Sequence, residues 1–245
     1  IMDRGMFIRS DVGVPQGGPI SPLLANIMLN ELDQKLEEWG YRFVRYADDL
    51  MIFTKSKRAG QRQFQRVSKF IEGKLKLKIN KEKTSITRLN QIKYLGYGFY
   101  RIKGKCRFRV HPKSITKLKD KLRETTGRSN GMSIEGRKTK LNQIIRGWVR
   151  YFKLADMKAI MQSIDEWLRR RIRMITWKRW KKVRTKFENL RKLGVAKEKA
   201  WEWANTRKSY WHTANSWILA TTLTNARFEK QGYLSLLKYY LEVRV

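Results

Sequence analysis

The charge balance constrains this chain before any motif does. Its 245 residues include 56 Lys and Arg against 21 Asp and Glu, a formal net charge of +35. A compact fold with that excess repels itself, so its basic surface is expected to face a polyanion, and nucleic acid is the natural partner. Apolar residues at 41% and aromatics at 12% are enough for a real core in one or two domains, which excludes a disordered chain. No apolar run approaches the roughly 18 residues of a spanning helix, and no signal-peptide pattern occurs, so a soluble intracellular protein without a membrane partner is expected. The one cysteine, Cys106, and the two histidines, His111 and His212, exclude a disulfide framework within the chain and a multi-cysteine zinc site. Any metal must be held by oxygen.

The charge is uneven. Up to residue 100 there are 18 basic and 10 acidic residues, and after it 38 and 11, so the net charge rises from +8 to +27. Eight of the nine tryptophans also lie in the second part, interleaved with Arg and Lys as suits phosphate contacts beside stacking faces. Trp148 and Trp167 fall in phase with other apolar residues and are expected in the core.

Periodicity predicts a Pro-Gly-rich loop over 13–22 and a helix over 23–38 with Leu24, Ile27, Met28, Leu32 and Leu36 on its apolar positions. A hairpin is predicted over 41–54, a basic helix over 59–75 and a short strand over 76–80. A second hairpin covers 94–110 around Lys103-Gly104. From there helices are predicted over 114–125, 133–152, 157–192, 197–205 and 232–241, with breaks at 127–132, 194 and 208–216.

The first hairpin carries two adjacent carboxylates, Asp48 and Asp49. Adjacent aspartates in a turn are ordinarily solvated, although crowded oxygen donors also suit Mg²⁺. Their setting decides between these readings. Tyr46-Ala47-Asp48-Asp49 is flanked by apolar strands and preceded by Gly13-Val14-Pro15-Gln16-Gly17-Gly18-Pro19-Ile20-Ser21-Pro22-Leu23-Leu24-Ala25-Asn26. With these two motifs in this order, the sequence resembles the palm of bacterial group II intron-encoded reverse transcriptases. Leu75-Lys76-Leu77-Lys78-Ile79-Asn80-Lys81-Glu82-Lys83-Thr84 resembles the next palm motif, and Tyr94-Leu95-Gly96-Tyr97-Gly98-Phe99 the primer-grip hairpin.

The resemblance implies an RNA-directed DNA polymerase using two Mg²⁺ ions. It implies that Asp48 is a metal ligand, Asp49 a neighbouring acidic group at the metal site, and Ala47 the small residue beneath the primer terminus, next to Tyr46. Gln16 and Gly17 would line the incoming nucleotide and template, Lys83 would face the departing pyrophosphate, and Leu95, Gly96 and Tyr97 would hold the primer end. The family also uses a catalytic aspartate in an earlier palm motif and a fingers region. Neither Asp3 nor Asp11 sits in that motif's apolar strand context, so this chain is expected to be inactive alone and to need those parts from the same or another polypeptide.

From residue 114 the sequence is similar to the thumb, or maturase-specific X domain, of the same proteins, most clearly at Gln143–Phe152 and Trp167–Arg173. The tail, including Ala204–Lys208 and Gln231–Leu237, resembles their small helical D domain. The expected class is therefore α+β: the C-terminal part of a palm over 1–112, a helical thumb over 113–192 and a DNA-binding domain over 193–245, with no endonuclease. Ile164, Leu168, Ile172, Ile175, Val183, Phe187 and Leu190 are expected to form a buried stripe. Arg146, Arg150, Arg169, Arg170, Arg173, Lys178, Arg179, Lys181, Lys182, Arg207 and Lys208 are the expected nucleic-acid contacts. The implied partners are group II intron RNA, an RNA template with a DNA primer or target DNA, and deoxynucleoside triphosphates, in a bacterial cytoplasmic ribonucleoprotein. Two rival readings are a non-catalytic splicing factor that keeps a palm as scaffold and a reverse transcriptase recruited to a defence system.

Overall fold

In the computed structural model, residues 2–3 and 6–7 are described as backbone, and residues 18–80 and 82–244 in full. Two compact units divide at Arg88 and Leu89.

The first unit begins with β1 (Met2–Asp3) antiparallel to β2 (Met6–Phe7). Pro22 stands in the first turn of α1 (Ser21–Glu38), where its missing N–H is no loss. This helix meets the small core through Leu32 and Leu36, with Leu29 half-buried against them, while Leu24, Ile27 and Met28 remain exposed. Strands β3 (Arg42–Tyr46) and β4 (Asp49–Phe53) pair antiparallel, with Tyr46 opposite Asp49. Helix α2 (Lys57–Gly73) starts where the Ser56 hydroxyl accepts the Ala59 N–H at 3.1 Å, and Val67 completes the core.

The strand expected over 76–80 does not form. Lys76 has φ +56°, and the Leu75 and Leu77 amides donate back to Phe70 and Ile71 at the end of α2, so the segment folds onto its own helix. An Asn80 turn follows.

The second unit opens with a short 3-10 turn and a three-stranded sheet, β5 (Lys93–Tyr94), β6 (Tyr97–Ile102) and β7 (Lys105–Val110), in that order. Lys103 and Gly104, both at positive φ, make the two-residue turn between β6 and β7. Helices then run to the end: α3 (Pro112–Thr125), α4 (Ile134–Tyr151), α5 (Lys158–Arg179), α6 (Val183–Lys192), α7 (Lys197–Ala204), α8 (Tyr210–Thr213), α9 (Trp217–Thr222), α10 (Asn225–Lys230) and α11 (Leu236–Val243).

The single helix expected over 157–192 is two helices. The chain turns at Trp180, where ψ is 65°, and is extended at Lys182. Trp177 is buried with Trp180 edge-on to it at 5.6 Å, and the turn returns Leu190 to the same core. Of the expected stripe, Ile164, Leu168, Ile172, Ile175 and Leu190 are buried, Phe187 is half-buried and Val183 is exposed. Trp148 and Trp167 are half-buried against the core.

A main core runs through most of the second unit, and Met174, Ile175 and Ala214 form a smaller cluster of their own. The main core extends from Val110 through Leu122, Ile145 and Leu168 to Phe228, Leu236 and Tyr240. The sheet that the sequence grouped with the palm therefore packs with the helices, and no separate core begins at residue 193. The short helices α7 to α10 bury too little apolar surface to stand alone.

Candidate functional site

The Tyr46–Asp49 turn reverses the chain in two residues, and its first central position, Ala47, has φ +53°. A side chain there is strained, since β-carbon contacts with the carbonyl disfavour left-handed backbone. Arg45 holds the turn in place. Its Nη1 donates to the Ala47 carbonyl at 2.9 Å and to Asn26 Oδ1 at 3.1 Å. Its Nε and Nη2 grip the Asp33 carboxylate at 2.8 and 2.5 Å.

Asn26 and Asp33 stand two turns apart on α1, so the helix after the Pro-Gly loop fixes the carboxylate turn through one guanidinium. The sequence carried a signal for this that its reading did not use. Strand alternation puts Arg45 on the face of Phe43, turned toward the core, and a cation there needs an acid partner.

Asp48 and Asp49 stand next to each other and are exposed, as are Tyr46 and Ala47. Hard, accessible oxygen donors of this kind fit Mg²⁺. Among the described residues, no group of three His, Cys, Asp or Glu side chains is placed to hold a metal. Lys83 is exposed on the Asn80 turn, where the Asn80 side chain accepts the Glu82 and Lys83 amides at 3.1 Å each. Gln16, Gly17 and Asp11 lie outside the described residues.

Leu95, Gly96 and Tyr97 form a tight reversal in the second unit, with φ +50° and +80° at Leu95 and Gly96. It is pinned to the helices on several sides. Tyr97 donates its hydroxyl to the Tyr151 carbonyl, and Tyr151 returns one to the Leu95 carbonyl at 2.9 Å. The Gly96 carbonyl accepts from Ser114 Oγ at 3.1 Å and from the His111 amide at 3.0 Å. A β-carbon on Gly96 would stand 3.0 Å from Ser114 Oγ and 3.1 Å from the Phe152 ring. Desolvation, then the neighbouring Tyr151, raises the Tyr97 pKa, keeping its hydroxyl a donor.

The predicted nucleic-acid contacts separate into two sets. Arg146, Arg179, Lys181, Lys182, Arg207 and Lys208 are exposed. Arg169 is not a surface contact: it is 2% exposed and donates to the Leu234 carbonyl at 3.0 Å. Arg173 likewise donates to the Leu223 carbonyl at 2.9 Å and to Asn225, and is half-buried. Arg170 stacks on Trp211 at 3.8 Å while donating to its carbonyl at 3.1 Å. Lys178 donates to the Arg128 carbonyl at 2.8 Å, and Arg150, itself exposed, to the Tyr239 hydroxyl at 2.7 Å. With few acids nearby, these cations tie loops and helices together through oxygen acceptors.

Comparison with known proteins adds to this geometry. The reverse transcriptase (RNA-dependent DNA polymerase) family profile matches residues 3–99, and the group II intron maturase-specific domain profile matches residues 115–194. Protein YkfC of Escherichia coli (strain K12) is 34% identical across a match covering 36% of this chain and 32% of that protein. The chain spans about a third of the length of this curated relative. A reverse transcriptase region over 3–99 followed by a group II intron maturase-specific region over 115–194, on a chain whose carboxylate turn is braced by its Pro-Gly-adjacent helix, supports a group II intron reverse transcriptase/maturase.

Proposed function

We propose that the chain acts within an RNA-directed DNA polymerase that also binds group II intron RNA, assists its splicing and supports its mobility. The observation that carries this reading is the exposed Asp48-Asp49 pair on a turn fixed by Arg45. Phosphoryl transfer depends mainly on positioning and charge neutralisation. Two bound Mg²⁺ ions would neutralise charge on the attacking 3′-oxygen and on the leaving pyrophosphate.

Asp48 and Asp49 would hold the metal ions. Ala47, with only a methyl group, leaves room beside Tyr46 for the primer end, which Leu95, Gly96 and Tyr97 support. Gln16 and Gly17 line the incoming nucleotide and template, and Lys83 offers the proton on Nζ to the leaving pyrophosphate. The exposed cations of the second unit take intron RNA, whose fold is recognised largely by shape. The partners are that RNA, a template with DNA primer or target DNA, and deoxynucleoside triphosphates, in a ribonucleoprotein. No helix among the described residues is long and apolar enough to cross a membrane.

The test is Mg²⁺-dependent primer extension on an RNA template by the protein carrying this chain, beside Asp48→Asn. Extension is expected to vanish in the variant while RNA binding and splicing assistance persist. Splicing lost together with synthesis would refute the separation of roles. The log of RNA affinity should also fall linearly with log salt, with a slope of about 0.7 to 0.9 per phosphate contacted, and a flat response would exclude backbone binding.

A further inference from the structure

The second unit holds an open cavity of about 340 Å³ lined by Arg123, Arg128, Trp167, Arg171, Met174 and Trp211. It lies within the size range of small-ligand sites. Three guanidiniums and two indoles meet there. Arg171 lies 5.2 Å and Arg123 5.9 Å from the centre of the Trp167 ring, and Arg170 is stacked on Trp211. Arg171 is locked in place, its Nε donating to Thr126 Oγ1 at 2.5 Å and its Nη2 to the Arg123 and Thr126 carbonyls at 3.2 Å.

The cavity is cationic without internal compensation. No carboxylate lines it, and the acid bonded to one of its arginines is Asp120, an exposed partner three residues before Arg123 on α3. Among the described residues neither Arg128 nor Arg171 has an acidic partner. Burial, then the nearby Arg123 and Arg128 charges, lowers the Arg171 pKa. Clustered guanidiniums suit an anion with several acceptor oxygens, and guanidinium-flanked indoles suit a flat π-system. A nucleotide has both.

We propose that this cavity takes a single unpaired nucleotide extruded from a nucleic-acid strand, its base against Trp167 and Trp211 and its phosphate on Arg123 and Arg128. This rests on the reading of the second unit as a nucleic-acid-binding body and names a specific subsite in it. An acidic peptide would use the arginines but bring no flat π-system to the indoles, so the nucleotide is the better fit.

The test uses an RNA hairpin and a DNA hairpin, each with one bulged 2-aminopurine, beside fully paired hairpins of the same length. Stacking is expected to quench the fluorophore and to make the bulged hairpin bind at least about fivefold tighter than the paired one. Quenching by the RNA bulge alone identifies an RNA strand, and quenching by both identifies either strand; each supports the site. Trp211→Ala should remove most of the quenching. Arg128→Ala should remove the bulge preference while preserving the melting temperature, because the Arg128 contact to Lys178 uses its backbone carbonyl.

Equal affinity for bulged and paired hairpins would overturn the proposal, as would a preference that survives both substitutions. Displacement of the quenched probe by hexaglutamate as readily as by unlabelled bulged hairpin would overturn it in favour of an acidic peptide. Absence of salt-sensitive binding to the paired hairpin would overturn the underlying nucleic-acid reading, and the cavity's role with it.

Discussion

Arg169 and Arg179 belong to the same helix and meet opposite surroundings, one buried against the Leu234 carbonyl and the other exposed. Desolvation is the main cause of the lowered Arg169 pKa, while Asp165, Glu229 and Tyr233 oppose it. Arg169→Ala is expected to lower folding stability by about 2–3 kcal/mol, because it removes a charge-assisted bond and leaves a buried carbonyl without its donor. It should leave the salt slope of RNA binding unchanged, whereas Arg179→Ala should reduce the slope and spare stability. Denaturant melts and affinities at several salt concentrations separate these effects. At the carboxylate turn, Arg45→Lys replaces a planar fork by a point charge that cannot hold Asp33, Asn26 and the Ala47 carbonyl together. Primer extension is expected to fall at least about tenfold with the Asp48 and Asp49 side chains intact, in keeping with the sensitivity of catalysis to misplacement. Activity equal to the parent would show that the brace is dispensable.

Helix α3 starts at His111, whose Nδ1 accepts the Lys113 amide at 3.2 Å. Accepting requires a neutral ring. Burial, followed by Lys93, Lys113 and Arg109, lowers the His111 pKa below 6.5. A histidine shifted in this direction stabilises the fold fully above its unfolded value, near 6.5, and the contribution is lost as pH falls through the folded value. The melting temperature should therefore drop as pH falls below about 6.5, and His111→Asn, which can cap without titrating, should flatten that part of the profile. A second helix start depends on a distant residue. Asp165 on α5 accepts the Leu236 and Leu237 amides at 2.8 Å each and the Ser235 hydroxyl at 2.6 Å, fastening the first turn of α11. Asp165→Ala should cost about 2–4 kcal/mol and raise amide exchange in α11 before the rest of the unit. Uniform exchange would mean that packing alone holds this helix.

Across the whole molecule, part of the excess charge is used inside the fold itself. Asp156 collects Tyr100 at 2.6 Å, Arg107 at 3.3 Å and Arg244, joining the sheet to the C-terminal helix. The Tyr100 hydrogen bond, ahead of the two arginines, helps hold its carboxyl below the usual range. Arg137, Arg169, Arg171 and Arg173 bond to backbone carbonyls, so counting basic residues overstates the phosphate surface. The excess of basic charge, the α+β class, the carboxylate hairpin and most helix positions were legible in the sequence, because charge, alternation and helical period are local properties of neighbouring residues. Local pattern placed the Lys103-Gly104 turn but ran one strand through Leu95 and Gly96, where the chain in fact reverses between β5 and β6. The break at Trp180–Lys182, the loss of the 76–80 strand and the shared core of residues 110–240 were not legible, since each depends on what a segment meets after the chain has turned. Residue identity determined which chemistry this protein could carry. Tertiary structure decided which of its cations remain free for a ligand, because a guanidinium taken by a backbone carbonyl and one facing solvent look the same in the sequence.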